Sequence, residues 1–124
     1  MKIQTRRFEL AGDYAGFWIK FRWDDDAEKR FKKQFQKQQS HDLTVRDRRT
    51  ESGAALQKSV AQSLALLHEW FAVLASITVA SNLTDDDDQP VNLTTREGWQ
   101  EMPEDFVREI RHAVSRDWKR WRRR

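Results

Sequence analysis

The sequence predicts a mainly α-helical fold with a small N-terminal β-hairpin, and two kinds of pattern support this fold class. Apolar and polar residues alternate in residues 17–23, as in a half-buried strand. Apolar residues recur at intervals of three and four in residues 56–74 and 106–121, as in helices with one buried face. We expect a compact domain built around a long central helix, about residues 52–76, and a C-terminal helix, about residues 103–122.

Composition limits the classes of protein to consider. The 124 residues fit a single domain, and 35% charged against 38% apolar residues means that a few segments must supply the core. The absence of Cys excludes disulfides and fits a reducing compartment. The first residues lack the apolar stretch of a secretory signal, and polar residues interrupt the longest apolar stretch, residues 64–80. We therefore expect a soluble, cytosolic protein without a membrane span.

Residues 1–23 are predicted to form the β-hairpin. Residues 3–10 alternate imperfectly, and Gly12 and Gly16 suit the turn because glycine tolerates positive φ. The second strand places an apolar set on one face, namely Phe17, Ile19, Phe21 and Trp23. An isolated hairpin is marginally stable in water, so this face needs a helix to pack on.

Three aspartates at residues 24–26 favour a helix start, because carboxylates cap free N–H groups and suit the positive end of the helix dipole. The predicted helix covers residues 24–40. Phe31 and Phe35 are its only apolar pair, so we expect it on the outside of the domain. Residues 41–50 are predicted to be a polar connection.

Residues 51–80 carry the strongest helical pattern and are predicted to form the core helix. Alanines and Trp70 widen its apolar stripe, so we expect it to be buried along much of its length, whereas its β-branched end near residue 78 can become extended. The stripe consists of Leu56, Val60, Leu64, Leu67, Phe71 and Leu74.

An acidic loop, residues 82–93, is predicted to precede a helical C-terminal part, residues 94–124. Thr94 stands three residues before Glu97, a capping-box pattern that opens a short helix around Trp99. Pro103 suits the first turn of the last helix. One face of that helix is apolar, and its tip is basic; the apolar residues are Phe106, Val107, Ile110, Ala113, Val114, Trp118 and Trp121.

Neither metal binding nor catalysis is indicated. His41, His68 and His112 stand far apart, and the aspartates of residues 85–88 lack the Gly and closing Glu of an EF-hand loop. No glycine-rich phosphate loop follows a strand. We expect no enzyme activity, no cofactor and no metal.

The C-terminal tip interleaves tryptophans with cations, and such groups stack on bases and neutralise phosphates. The same tryptophans continue an apolar helix face, so packing in the core, self-association and contact with another protein are competing interpretations. The candidate partner-binding residues are Trp118, Trp121, Arg116, Lys119, Arg120 and Arg122.

Residues 77–114 resemble the C-terminal half of tail assembly chaperones of long-tailed bacteriophages. The matching steps, in order, are Asn-Leu-Thr-Asp at 82–85, Pro-Val at 90–91, Thr-Arg-Glu-Gly at 95–98 and Met-Pro-Glu-Asp at 102–105. The Gly-Phe-Trp-Ile sequence at 16–19 is also similar to the start of such proteins. The chain departs from the family at Ser81, where members often carry Trp, and at Asp87 and Asp88, where they often carry Gly.

This resemblance implies a non-enzymatic chaperone that binds the tape-measure protein and helps to recruit tail-tube subunits during tail morphogenesis. It also implies a location in the cytoplasm of the infected bacterial host, and candidate client contacts at Trp118, Trp121 and the neighbouring cations. Two alternatives remain open. One is a small nucleic-acid-binding protein that uses the C-terminal helix, and the other is a different phage structural or morphogenesis protein.

Overall fold

The computed structural model describes residues 4–47 and 53–122, and it confirms the mainly α-helical fold with an N-terminal hairpin. A short 3-10 turn, Gly12–Tyr14, joins the first two strands. The elements in chain order are β1 (Gln4–Glu9), β2 (Trp18–Trp23), α1 (Asp25–Asp47), α2 (Gly53–Ile77), β3 (Thr78–Ser81), α3 (Arg96–Gln100) and α4 (Glu104–Arg122).

The hairpin belongs to a three-stranded antiparallel sheet in which β2 is central. β1 pairs with β2 so that Gln4 lies opposite Trp23, and Gly12 and Gly16 adopt the positive φ values, 63° and 93°, that the connection requires. β3 pairs with the other side of β2 and was predicted only as an extended end of the core helix. The inward face of β2 is fully buried, as its alternation predicted, at Ile19, Phe21 and Trp23.

Helix α1 begins where the aspartates predict and ends later than expected. The Asp24 carboxylate accepts a 2.8 Å hydrogen bond from the backbone N–H of Ala27, which caps the first turn. Residues 41–47, predicted as a polar connection, are helical; residues 48–52 lie outside the described residues. Bonds between residues four apart, such as Gln38 to Asp42 at 2.9 Å, support this added length.

Phe31 places α1 against the centre of the core rather than on its outside. The ring is fully buried, with centroids 5.5 Å from Trp23, 5.3 Å from Trp70 and 5.4 Å from Trp118. These rings come from β2, α2 and α4, so a single aromatic side chain of α1 contacts three other elements. Edge-to-face and tilted ring pairs add stability beyond area burial.

Among the α2 side chains that the structure describes, those in the C-terminal part of the helix are buried, so the prediction that the helix is buried along much of its length is wrong. Phe71 and Leu74 lie in the core, whereas Val60 and Leu64 are 54% and 55% exposed. The side chain of Leu56 lies outside the described residues. The helix is about 37 Å long at 1.5 Å per residue, and the rest of the domain covers only one end of it.

The acidic loop is held as a tight turn between buried leucines. The Asp85 carboxylate accepts hydrogen bonds of 2.9 Å from the backbone N–H groups of Asp87 and Gln89, so the aspartates stay in solvent while the turn is fixed. Leu83 and Leu93, on either side of the turn, are buried. The loop therefore links β3 to the last two helices through core contacts.

The cap of α3 is Thr95 rather than Thr94. The Thr95 hydroxyl accepts a hydrogen bond from the backbone N–H of Gly98 at 3.2 Å. Because Gly98 occupies the position that Glu97 was expected to fill, the predicted capping box does not form. The adjacent Trp99 is fully buried, and its Nε1 donates to the Leu93 carbonyl at 2.7 Å.

Candidate protein-docking site

Helices α1 and α2 run antiparallel and extend past the core as a pair, which we call the helical arm (residues 36–47 and 53–69). Contacts across the pair show this orientation, because residues later in α1 contact residues earlier in α2. Lys37 Nζ lies 3.4 Å from Glu69 Oε1, and His41 Nε2 lies 2.6 Å from Ser63 Oγ. Hydrogen bonds and an ion pair therefore hold much of the arm together.

One side of the arm presents an apolar surface that the domain leaves open. Val60, Leu64 and Leu67, which we call the α2 stripe, continue the helical spacing of the buried residues Phe71 and Leu74. A shallow cavity of about 270 Å³ lies along this stripe. Leu43 of α1 adds another exposed apolar side chain on the arm, at 58% exposure.

Polar groups border the cavity along the α2 stripe. Glu104 and Arg111 line it from α4, and Gln38 lines it from α1. The Arg111 guanidinium lies 5.5 Å from the ring of Trp70, and burial is the main cause that lowers its pKa, although the guanidinium remains charged at neutral pH. The site therefore combines an apolar floor with a rim of fixed charge, which is typical of protein-docking surfaces.

The other side of the arm is a groove of about 820 Å³ between α1 and α2. Lys33, Lys37 and His41 line it from α1, and Glu69 lines it from α2. Oε2 of Glu69 is buried without a hydrogen-bond partner, while its Oε1 contacts Lys37. Leu66 of α2 also lines this groove, which therefore combines charged and apolar surface.

Trp118, predicted to contact a partner, belongs to the core instead. Its side chain is only 2% exposed, and its ring packs 5.3 Å from that of Phe35. Its Nε1 lies 3.4 Å from Glu28 Oε1. The physical reason is that Phe31 and Phe35 form an apolar stripe on α1 that α4 must cover.

Trp121 is partly buried and stacks on Trp23 with a centroid distance of 6.3 Å. With one ring buried and the other already stacked, the C-terminal tip lacks the pair of open aromatic faces that base stacking would use. Arg116, Lys119 and Arg120 are exposed, and the side chain of Arg122 lies outside the described residues.

The α2 stripe was missed because the sequence pattern was interpreted on one helix at a time. Spacing shows which residues share a face, but it does not show whether another element is long enough to cover them. The composition of α1 could have indicated this. After Phe35 its next large apolar residues are Leu43 and Val45, so apolar side chains are sparse in this half of the helix. An antiparallel neighbour of that composition leaves the N-terminal half of α2 without an apolar partner.

The segment Val60–Ile77 is long and apolar enough to cross a membrane, judged by length and composition alone. Its mean hydropathy is 1.4, and 28% of its residues are buried. Buried helices of soluble proteins meet the same criteria. Its buried residues lie from Trp70 onward, where α2 packs in the core.

Within residues 4–47 and 53–122, no three His, Asp or Glu side chains are grouped so that they could hold a metal ion. The chain matches no protein-family model, and neither a curated protein nor a solved structure matches it significantly.

Proposed function

We propose that this protein is a non-enzymatic binding protein whose helical arm docks an amphipathic helix of a client protein. The observation that carries the proposal is the exposure of Val60 and Leu64, at 54% and 55%, in helical register with the buried residues Phe71 and Leu74. A client helix laid along this register would extend the apolar packing of the core. Complete burial of a Val or Leu side chain contributes about 1.5–3 kcal/mol.

The charged residues at the rim of the α2 stripe would orient such a client helix. Glu104 and Arg111 lie on the α4 side of the α2 stripe and carry opposite charges. Charged groups at a rim add little affinity, but they favour one register and one direction of a bound helix over others. A client helix with an apolar stripe and flanking charges of both signs fits this surface.

In its specific form, the proposal is that the protein is a phage tail assembly chaperone that acts in the cytoplasm of the infected bacterial host. The client is then the tape-measure protein, and the complex helps to recruit tail-tube subunits. The ordered motif matches between residues 77 and 114 support this form, and an exposed apolar helix suits a long helical client. Gene order is an independent check, because the proposal requires a tape-measure gene next to the gene for this protein.

Co-expression with that tape-measure protein tests the proposal through the soluble fraction of the client. We expect the unchanged chain to raise that fraction, and we expect the double variant Val60→Asp with Leu64→Asp to abolish the rise. Ala61→Asp is the matched control, since Ala61 is exposed on the same helix and lines neither cavity of the arm.

The double variant should fold, because both substituted side chains are already exposed. Its circular dichroism spectrum checks this point. The proposal fails if the double variant keeps the client as soluble as the unchanged chain does. It also fails if Ala61→Asp is equally damaging, since the α2 stripe would then not be the surface that matters.

A further inference from the structure

Strand β1 is an edge of the sheet and exposes one row of backbone groups. The strand order is β1-β2-β3, so within residues 4–47 and 53–122 β1 has β2 as its only neighbour in the sheet. The backbone N–H of Leu10 donates to the carbonyl of Phe17 at 3.0 Å, which places the Leu10 amide on the β2 side. Successive residues of a strand direct their N–H and C=O groups to opposite sides.

The backbone groups of Thr5, Arg7 and Glu9 therefore point away from β2. The opposite strand agrees with this assignment. Trp18 lies opposite Glu9, but its backbone N–H donates to Oδ1 of Asn82 and its carbonyl accepts from the backbone N–H of Asn82, so neither group bonds to β1. An edge strand with such unpaired groups is a template for an additional strand.

A cavity of about 350 Å³, which we call the edge groove, lies between this edge and α4. Residues 6–11 line one wall, and consecutive residues from both faces of β1 take part, so the groove follows the edge of the strand. The opposite wall is one face of α4, on which Ile110 and Ala113 are the apolar members. The small side chain of Ala113 keeps the groove open near its middle.

The groove is basic at the end near the C-terminus of α4. Arg116 and Arg120 line that end and are exposed, and neither forms an ion pair with the described part of the chain. Arg6 lies beside them, and its Nε contacts Oδ1 of the buried Asp117 at 3.1 Å. The carboxylates of Glu9 and Glu109 also line the groove, and Glu9 is neutralised by Arg7 at 2.8 Å.

We propose that the edge groove binds an extended acidic peptide segment of a partner protein, which adds to the sheet as a fourth strand beside β1. The outward backbone groups of Thr5, Arg7 and Glu9 hold its main chain, and Arg116 and Arg120 hold its carboxylates. Main-chain bonds supply affinity in this mode of recognition, and side-chain pockets supply specificity. Arginine suits the second role because its guanidinium binds a carboxylate through two parallel hydrogen bonds.

This site is independent of the helical arm. The edge groove and the two cavities of the arm have no lining residue in common. The arm offers an apolar surface suited to a helix, whereas the groove offers unpaired strand backbone and cations. Loss of client binding at the arm therefore leaves the edge groove testable by itself.

The first experiment uses the full chain and a short fluorescein-labelled peptide of alternating valine and glutamate, followed by fluorescence anisotropy. We expect binding that weakens by at least about tenfold in the double variant Arg116→Glu with Arg120→Glu, since both carboxylate partners become repulsive. A peptide of alternating valine and lysine should not bind. Equal binding of both peptides, or no binding of the acidic peptide, would overturn the proposal.

A second pair of variants separates the contribution of the Arg7 backbone N–H to peptide binding from that of the Arg7 side chain. Arg7→Pro removes an outward N–H, and proline is tolerated where an edge strand faces solvent. Arg7→Ala removes the same side chain but retains the N–H. We expect Arg7→Pro to weaken peptide binding by about tenfold and Arg7→Ala to stay within about threefold of the unchanged chain, because proline removes a main-chain hydrogen bond and leaves a peptide carbonyl without its donor.

Amide hydrogen exchange gives a readout that a purely electrostatic contact would not change. When the acidic peptide binds, exchange should slow at the amides of Thr5, Arg7 and Glu9, which become hydrogen-bonded. The proposal is overturned if the peptide binds while these three amides exchange at their former rates. It is also overturned if Arg7→Pro, folded as judged by circular dichroism, binds the peptide as well as Arg7→Ala does.

Discussion

The indole Nε1 of Trp23 donates a 2.8 Å hydrogen bond to Oδ2 of Asp117, a carboxylate that is 6% exposed. Oδ1 of the same group accepts a second bond from Nε of Arg6 at 3.1 Å. One acidic side chain of α4 therefore joins both strands of the hairpin to the last helix, through a neutral donor on β2 and a charged donor on β1.

Replacement of Asp117 by Ala should lower the free energy of unfolding by about 2–4 kcal/mol, because it leaves a buried indole N–H and a partly buried guanidinium without their acceptor. Urea denaturation measures the change. Glu109→Ala is the control on the same helix, since Glu109 is exposed and should change stability by less than about 0.5 kcal/mol. Similar losses in both variants would contradict the role assigned to the Asp117 contacts.

Phe31→Ala should destabilise the protein by about 3–5 kcal/mol, because it removes a fully buried ring that contacts three other elements. Leu43→Ala provides the contrast on the same helix. Its side chain is 58% exposed, so we expect a change within about 0.5 kcal/mol. Chemical denaturation that gives equal losses for the two variants would show that α1 is not anchored through Phe31.

Gly98→Ala should prevent normal packing of α3, because a Cβ at this position would overlap the backbone carbonyl of Asn92. Backbone must move to relieve such a clash, so we expect a loss of at least about 2 kcal/mol. At Gly12 a Cβ meets open space, and only the positive φ opposes the same substitution, at a cost of about 1 kcal/mol. Thermal unfolding that ranks Gly12→Ala as the more damaging change would be the contrary result.

His112 should titrate below its ordinary pKa of 6.5, chiefly because of desolvation and next because Arg111 and Arg116 repel a proton. A folded-state pKa below the unfolded value means that the unfolded chain takes up this proton first. The contribution to stability is therefore present above pH 6.5 and is lost as the pH falls below it. NMR titration of the imidazole measures the midpoint, and Arg111→Gln should raise it. A midpoint that does not respond to this change would exclude the arginine contribution.

Features that depend on one element and its own periodicity could be predicted from the sequence. Strict alternation identified the buried face of β2, since the side chains of a strand alternate between its two faces. The intervals of three and four identified the buried face of α4, on which Ile110 and Val114 are fully enclosed. Asp24 marked the start of α1 through a capping interaction that is local to a single turn.

Features that depend on what lies opposite an element could not be predicted in this way. Val60 and Phe71 belong to the same periodic stripe, yet only Phe71 meets the core, because coverage depends on the lengths of other elements. Trp118 is compatible by sequence with either a core or an interface, and its distance to Phe35 decides between them. The edge groove depends on the placement of α4 beside β1, two elements separated by most of the chain.

The junction of α2 and β3 has a mechanical consequence. α2 ends at Ile77 and β3 begins at Thr78, so no connecting residues separate them, and the Thr78 hydroxyl donates a 2.6 Å hydrogen bond to the Leu74 carbonyl. The helical arm consequently has no hinge at its base. Any swing of the arm must bend a helix or detach β3 from the central strand, so this junction sets the angle between the arm and the sheet.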